Sequence, residues 1–164
     1  MPSSYCALVL AVSVLAGCAT SPFPREQRKQ AAAVSIAEAQ ANPAGHKGQK
    51  VVWGGYVLDV KNNGNGSDLY LLQSPLDNSD APGPRDASRG RFIAQATGYL
   101  DKAVYQFRRV TVLGDLNGLR PVALEPGSGS YPYPVLSVEN LYLWPLVQEA
   151  PPQPNVGVGF GFSL

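Results

Sequence analysis

From Lys50 to Trp144 the chain is a succession of β-branched and aromatic runs cut by glycine and proline. That punctuation constrains the fold more than any other feature. The chain has 17 Gly and 15 Pro in 164 residues, and only 15% of residues are charged. A helical bundle tolerates neither breaker at such density, whereas a β domain with many turns uses both. Lys50–Val60 reads K-V-V-W-G-G-Y-V-L-D-V, a first strand. The Gly54-Gly55 pair in its middle predicts a bulge or a sharp bend, as at the corner of a small barrel. Asn62-Asn63-Gly64-Asn65-Gly66 is a turn, and Leu69–Gln73 returns as a second strand, which makes a hairpin.

Residues 74–90 hold prolines, glycines and aspartates and predict a long loop. Arg91–Ala96 is a third strand, and a helical turn is expected near 100–105. Arg109–Leu116 alternates as a fourth strand, and Leu119–Leu124 is a candidate fifth. The last strand follows Tyr131-Pro132-Tyr133-Pro134 and runs to Trp144. Five or six strands with bends and one long loop predict an all-β domain, a small OB-like β-barrel. Closing the sheet removes the exposed edges on which another chain could pair.

Outside this region, residues 31–41 are rich in helix formers and predict one short N-terminal helix, ended by Asn42-Pro43. Residues 18–30 read as a polar tether, and 31–145 as the folded domain. Residues 146–164 form a Pro/Gly-rich tail expected to be flexible, because glycine at alternate positions disfavours an ordered strand. Adding to a partner's sheet edge is the other reading of that tail.

The first 17 residues have a different character. Residues 5–16 are an apolar run that matches a signal-peptide core and falls short of the ~20 residues that span a bilayer as a helix. The run ends in Leu15-Ala16-Gly17-Cys18, the pattern of a lipoprotein signal-peptidase motif. Small residues at Ala16 and Gly17 let extended backbone enter a membrane peptidase, Leu15 fills an apolar pocket, and the Cys18 thiol accepts diacylglycerol. The leading segment carries no Lys or Arg. Residues 1–17 are therefore expected to be removed and Cys18 to carry lipid. Cys6 and Cys18 are the two cysteines, so the mature chain would have neither a free thiol nor a disulfide. Ala19, where Asp would favour inner-membrane retention in Gram-negative systems, permits sorting to the outer membrane.

Composition excludes several function classes. The net charge of +1 gives no reason to expect a nucleic-acid partner. His46 is the single histidine, so the usual grouped metal ligands and histidine-based catalytic sets are missing, and no metal or other cofactor is expected. The aspartates fall mainly at strand ends and in loops, where turn formation explains them. Arg85, Arg89, Arg91, Arg108 and Arg109 form a modest basic cluster in sequence. It reads either as contacts to envelope phosphates and carboxylates or as surface charge balanced by Asp86 and Asp101. Trp53, Tyr131, Tyr133, Tyr142 and Trp144 read either as core or as an aromatic platform for a sugar or peptide. Tyr131 and Tyr133, each followed by a proline, are the pair expected to be exposed. With Arg89 and Arg91 they form the candidate binding surface.

An ordered set of motifs also resembles a known family. It comprises N-P-A-G-H-K-G-Q-K-V-V-W-G-G at 42–55, S-P-L-D at 74–77, S-R-G-R-F-I-A at 88–94 and G-Y-L-D-K-A-V-Y at 98–105. R-R-V-T-V-L-G at 108–114 and Y-P-Y-P-V-L-S-V-E-N-L-Y-L-W-P at 131–145 complete it. In this order they resemble the Slp family of outer-membrane lipoproteins. The departure is Phe107, where a glycine is expected before the arginine. The resemblance implies an outer-membrane location, a role in the stationary or stressed envelope, and no enzymatic activity. The resulting expectation is a lipid-anchored, non-catalytic structural or interaction protein. The alternative is a binding module for an envelope glycan, lipid or peptide. Its partners would be the membrane, through the Cys18 lipid, and an envelope protein or glycan.

Overall fold

A computed structural model describes residues 21–124, 127 and 129–146. Among them are helices α1 (Arg25–Lys29), α2 (Ile36–Ala41), α3 (Pro43–His46) and α4 (Lys102–Tyr105). The strands are β1 (Lys50–Asn63), β2 (Gly66–Gln73), β3 (Arg91–Ala96), β4 (Arg109–Ala123) and β5 (Ser130–Leu143). A short 3-10 turn, Arg85–Ala87, interrupts the loop between β2 and β3.

The five strands pair in the order β1-β2-β3-β5-β4, and β4 returns to β1, which makes a closed barrel. Every neighbouring pair is antiparallel except β3 and β5, which run parallel from Ile93↔Val135 to Gln95↔Ser137. The β1–β2 hairpin turns at Asn63↔Gly66, as the Asn-Gly run dictates.

The expected secondary structure needs several corrections. There are four short α-helices among the described residues, not one. The expected helix over 31–41 is restricted to Ile36–Ala41, because Ser35 is its N-cap. The Ser35 hydroxyl accepts from the Glu38 amide, and the Glu38 carboxylate takes the Ser35 amide in return, a capping box. Part of the expected tether forms helix α1. Leu119–Leu124 is no separate strand: β4 runs on to Ala123, with an irregularity between Leu116 and Leu119. The bulge in β1 lies between Val57 and Asp59, not at Gly54-Gly55. The tail from residue 147 and the segment through residue 20 lie outside the described residues.

Alternation along the strands fills the interior. Val51, Trp53, Val57 and Val60 of β1 meet Leu69 and Leu71 of β2, Phe92 and Ala94 of β3, and Val110, Val112 and Leu116 of β4. Ile36 and Ala39 of α2 join this cluster from outside the sheet. The Trp53 ring meets Phe92 edge to face at 5.3 Å. Val110 through Gly114 of β4 are all buried, so that stretch is covered on both faces. Its outward Thr111 hydroxyl donates to the Asp80 carbonyl at 2.6 Å, and the Trp144 indole donates to the same hydroxyl at 2.8 Å. The long loop is therefore a lid on the outside of β4. A second, smaller cluster of Ile93, Tyr133 and Val135 packs with Tyr70, Val122 and Tyr131.

Candidate functional site

The segment before β1 is stitched across the outside of the sheet. The Arg28 guanidinium donates to Asp80 at 2.8 Å, and Asn140 donates to Gln27 at 2.9 Å. The Ala32 amide donates to the Lys50 carbonyl at 2.7 Å, and the buried Trp53 indole N–H donates to the Val34 carbonyl at 2.7 Å. The Gln40 amide reaches the Pro132 carbonyl at 2.8 Å. Polar side chains at 27, 28 and 40 thus hold the segment down along with the burial of Val34, Ile36 and Ala39.

Between this segment and the long loop runs a groove in two compartments, each of about 410 Å³, which share Val52 and Leu76. Arg25, Arg28, Lys29 and Asp80 line one compartment. Ser35, Trp53, Gln73 and Arg89 line the other. Its floor is apolar and its ends carry more cations than anions. Asp80 is the one carboxylate among the lining residues; it is 4% exposed and sits at φ 62°. The half-exposed Arg28 pairs with it at 2.7 Å. Lys29 is partly neutralised by Glu26 at 2.9 Å, on the open surface where such a pair contributes little.

The residues proposed from sequence are only partly brought together. Tyr133 is 3% exposed, which corrects the expectation that it stands free. Its ring meets Tyr131 at 5.0 Å and Tyr70 at 5.9 Å, both edge to face. The Arg91 amide donates to the Tyr131 hydroxyl at 3.3 Å, and the Arg91 guanidinium to the Tyr133 hydroxyl at 3.4 Å. Tyr131, Tyr133 and Arg91 are therefore partners of one another, with both hydroxyls engaged. Arg89 alone of the four lines the groove. The proline spacing that suggested exposure marks the start of β5, where the strand pairs with β4 alone and Tyr133 turns onto the second cluster. The groove has no local sequence signature, because its walls come from segments some fifty residues apart. Leu15, Ala16, Gly17 and Cys18 lie outside the described residues.

The ionisable groups have structural partners. The Glu139 carboxylate raises the Lys50 ammonium above its ordinary value; burial opposes this and Asp115, at 3.3 Å, reinforces it. Burial pulls the Asp59 carboxyl up, but Lys102 at 2.6 Å and the Val60 amide outweigh it, so the group ends below its ordinary value. Arg120 is raised by its bond to Asp68 at 2.7 Å, and Gln95 holds the other Asp68 oxygen at 3.0 Å. His46 faces Gln49 at 3.1 Å across the turn that ends α3. Among the described residues no three His, Cys, Asp or Glu side chains converge in a way that would hold a metal. No helix among them is long and apolar enough to cross a membrane.

Comparison with known proteins agrees with the motif order. The family model described as "Outer membrane lipoprotein Slp family" matches residues 15–159. An Escherichia coli K12 protein described as "Uncharacterized lipoprotein YeaY" is 30% identical over 143 residues, 86% of this chain and 73% of its own length. The Escherichia coli K12 protein described as "Outer membrane protein Slp" is 29% identical over 144 residues, 85% of this chain and 74% of its own. A solved chain titled "Plasmodium falciparum SSB complex with ssDNA" is 17% identical and covers 58% of this chain and 94% of its own. Its TM-score is 0.31, so neither fold nor ligand is taken from it. With a family match that runs from before the first helix to beyond the last strand, this chain belongs to the Slp family of lipoproteins and has its place in the bacterial outer membrane.

Proposed function

We propose that the chain is held on its membrane by lipid on Cys18 and works there as a non-catalytic interaction module of the envelope. The observation that carries this reading is the docking of the N-terminal segment onto the sheet, through Gln27, Arg28, Ala32, Val34 and Gln40. Phe23, five residues beyond Cys18, is buried in the domain. Five extended residues reach at most ~18 Å. A diacylglycerol on Cys18 would therefore keep the domain against the membrane, with two or more acyl chains sufficient for stable anchoring. In this reading Leu15, Ala16 and Gly17 form the peptidase motif. Cys18→Ser should abolish lipid labelling and release the protein from the membrane fraction. Normal labelling of that variant would end the proposal. A role in the starved or stressed envelope belongs to the same reading through the motif resemblance. It requires that a deletion strain lose viability in stationary phase.

The groove favours a second reading, a binding module for an envelope ligand with an anionic head and an apolar body. Its apolar floor of Val52 and Leu76 lies between Arg25, Arg28 and Lys29 at one end and Arg89 at the other. Titration with lysophosphatidylglycerol, a muropeptide or an acidic peptide should give a saturable rise in melting temperature for one of them. Val52→Trp, which places a larger side chain on the floor the two compartments share, should reduce that rise. A flat response to all three would discard this second reading.

A further inference from the structure

Phe107 occupies a backbone conformation that a bulky side chain avoids. Its φ is 66°, in the left-handed region that favours glycine. The surrounding backbone holds it there. The Phe107 amide donates to the Val57 carbonyl at 2.8 Å, the Val57 amide donates to the Arg108 carbonyl at 3.0 Å, and the Phe107 carbonyl accepts from Arg85 at 3.4 Å. The strained turn therefore hangs from β1. In return the ring gains almost no burial, since the residue is 65% exposed. Neither packing nor turn geometry accounts for an aromatic ring at this position. A strained, solvent-facing aromatic residue points to an external contact.

The neighbours indicate which contact. Arg85, Arg108 and Arg109 surround the turn, and each guanidinium donates to a carbonyl: those of Phe107, Trp144 and Pro82 respectively. Among the described residues none of the three is in an ion pair. The nearby carboxylates are largely engaged elsewhere. Asp59 pairs with Lys102, Asp101 caps α4, and Asp77 accepts from Ser79 and Ala81 while feeling the Arg109 charge without forming an ion pair with it. Asp86, next to Arg85 in the chain, is the remaining acid. The same end of the sheet exposes Val104 and Tyr142, and the Tyr142 ring meets Trp144 edge to face at 4.8 Å. The Trp144 amide donates to the Arg109 carbonyl at 3.0 Å, which fixes this pair beside the turn.

We infer that this end of the domain is its membrane-contacting face, on which Phe107 enters the headgroup layer of a phospholipid leaflet and Arg85, Arg108 and Arg109 bind its phosphates. Tyr and Trp beside an apolar side chain and arginines that no ion pair holds form the combination that settles at an anionic lipid–water boundary. The inference rests on the membrane-anchored reading above and adds the orientation of the domain to it.

The test uses the full lipidated chain reconstituted in vesicles of phosphatidylethanolamine and phosphatidylglycerol, with intact mass reporting the lipid on Cys18. Phe107→Cys and, as the control, Tyr99→Cys, at a residue 74% exposed, are labelled with an environment-sensitive fluorophore. The label at 107 should be blue-shifted and quenched by brominated lipid at least twofold more than the label at 99. The difference should disappear when phosphatidylcholine replaces phosphatidylglycerol. Equal quenching at both positions in protein of lipidated mass would overturn the orientation, as would contact at 107 only with lipopolysaccharide. Absence of the lipid mass would instead refute the anchor. As a second variant, Phe107→Gly should fold with an unchanged or higher melting temperature while Trp144 loses quenching by brominated lipid. Undiminished quenching of Trp144 in that variant would also overturn the inference.

Discussion

Gly55→Ala is the substitution whose cost the structure fixes most directly. Gly55 faces Gln73 of β2 on one side and Val110 of β4 on the other, so its strand is held from both edges. A methyl group there would lie 1.9 Å from the Leu72 carbonyl oxygen, 2.8 Å from its carbon and 3.0 Å from the Gln73 Cα. Ordinary C···O contacts begin near ~3.3 Å, so β1 and β2 must part by roughly 1.4 Å. The obstacle is backbone and no rotamer change relieves it. Overpacking of this kind costs about 1–3 kcal/mol, and one or two weakened ladder bonds add about 1 kcal/mol each. The expected loss is about 2–5 kcal/mol, a large part of the ~5–15 kcal/mol that holds a domain together. At roughly 4 °C per kcal/mol for a domain of this size, the melting temperature should fall by about 8–20 °C. Urea unfolding and thermal melts by circular dichroism would measure both. Gly64→Ala is the control, because a methyl there meets nothing within 4 Å. It should stay within about 0.5 kcal/mol of the parent. If Gly55→Ala were as stable as Gly64→Ala, the close approach of β1 and β2 would be refuted.

Two further outcomes follow from the contacts. Trp53→Phe keeps an aromatic ring in the core but removes the donor to the buried Val34 carbonyl. It should cost about 2–3 kcal/mol and raise hydrogen exchange across residues 31–36; unchanged exchange there would show that this bond does not hold the segment. Acid should also destabilise the fold. The Glu38 carboxyl is lowered by the Ser35 amide and hydroxyl, and the Asp77 carboxyl by the Ser79 hydroxyl and the amides of Ala81 and Ser79. Groups depressed in the folded state stabilise it fully above their unfolded values, near about pH 4, and that contribution is lost as pH falls through the folded values. The urea midpoint should therefore decline below about pH 4, and somewhat less steeply in Ser35→Ala, where Glu38 loses the hydroxyl and keeps the backbone amide of residue 35. A midpoint flat down to pH 2 would contradict this assignment.

Much of the fold follows from local rules. The Asn-Gly run set the β1–β2 turn, alternation marked the first half of β4, and Pro43 bounded α2. Local signals mislead where tertiary contacts outweigh them. Residues 25–29 carry no apolar period, yet they become α1 beneath bonds from Arg28 to Asp80 and from Asn140 to Gln27. Gly54 and Gly55 signalled a special backbone position correctly, but the reason is a close approach of neighbouring chains and the bulge lies further along the strand.

The sequence by itself determined the β-rich domain, the motif order that identifies the family, and the cysteine on which the anchor proposal rests. These depend on residue types at short spacings, and short spacings survive in one dimension. Only the tertiary structure decided that Tyr133 is packed away, that Arg89 lines a groove with residues from the N-terminal segment, and that Phe107 is strained and open to solvent. Closure of the sheet brings together segments that are remote in the chain. Which side chains it covers, and which charges it leaves without a partner, depends on that register and not on the neighbours of any residue in sequence.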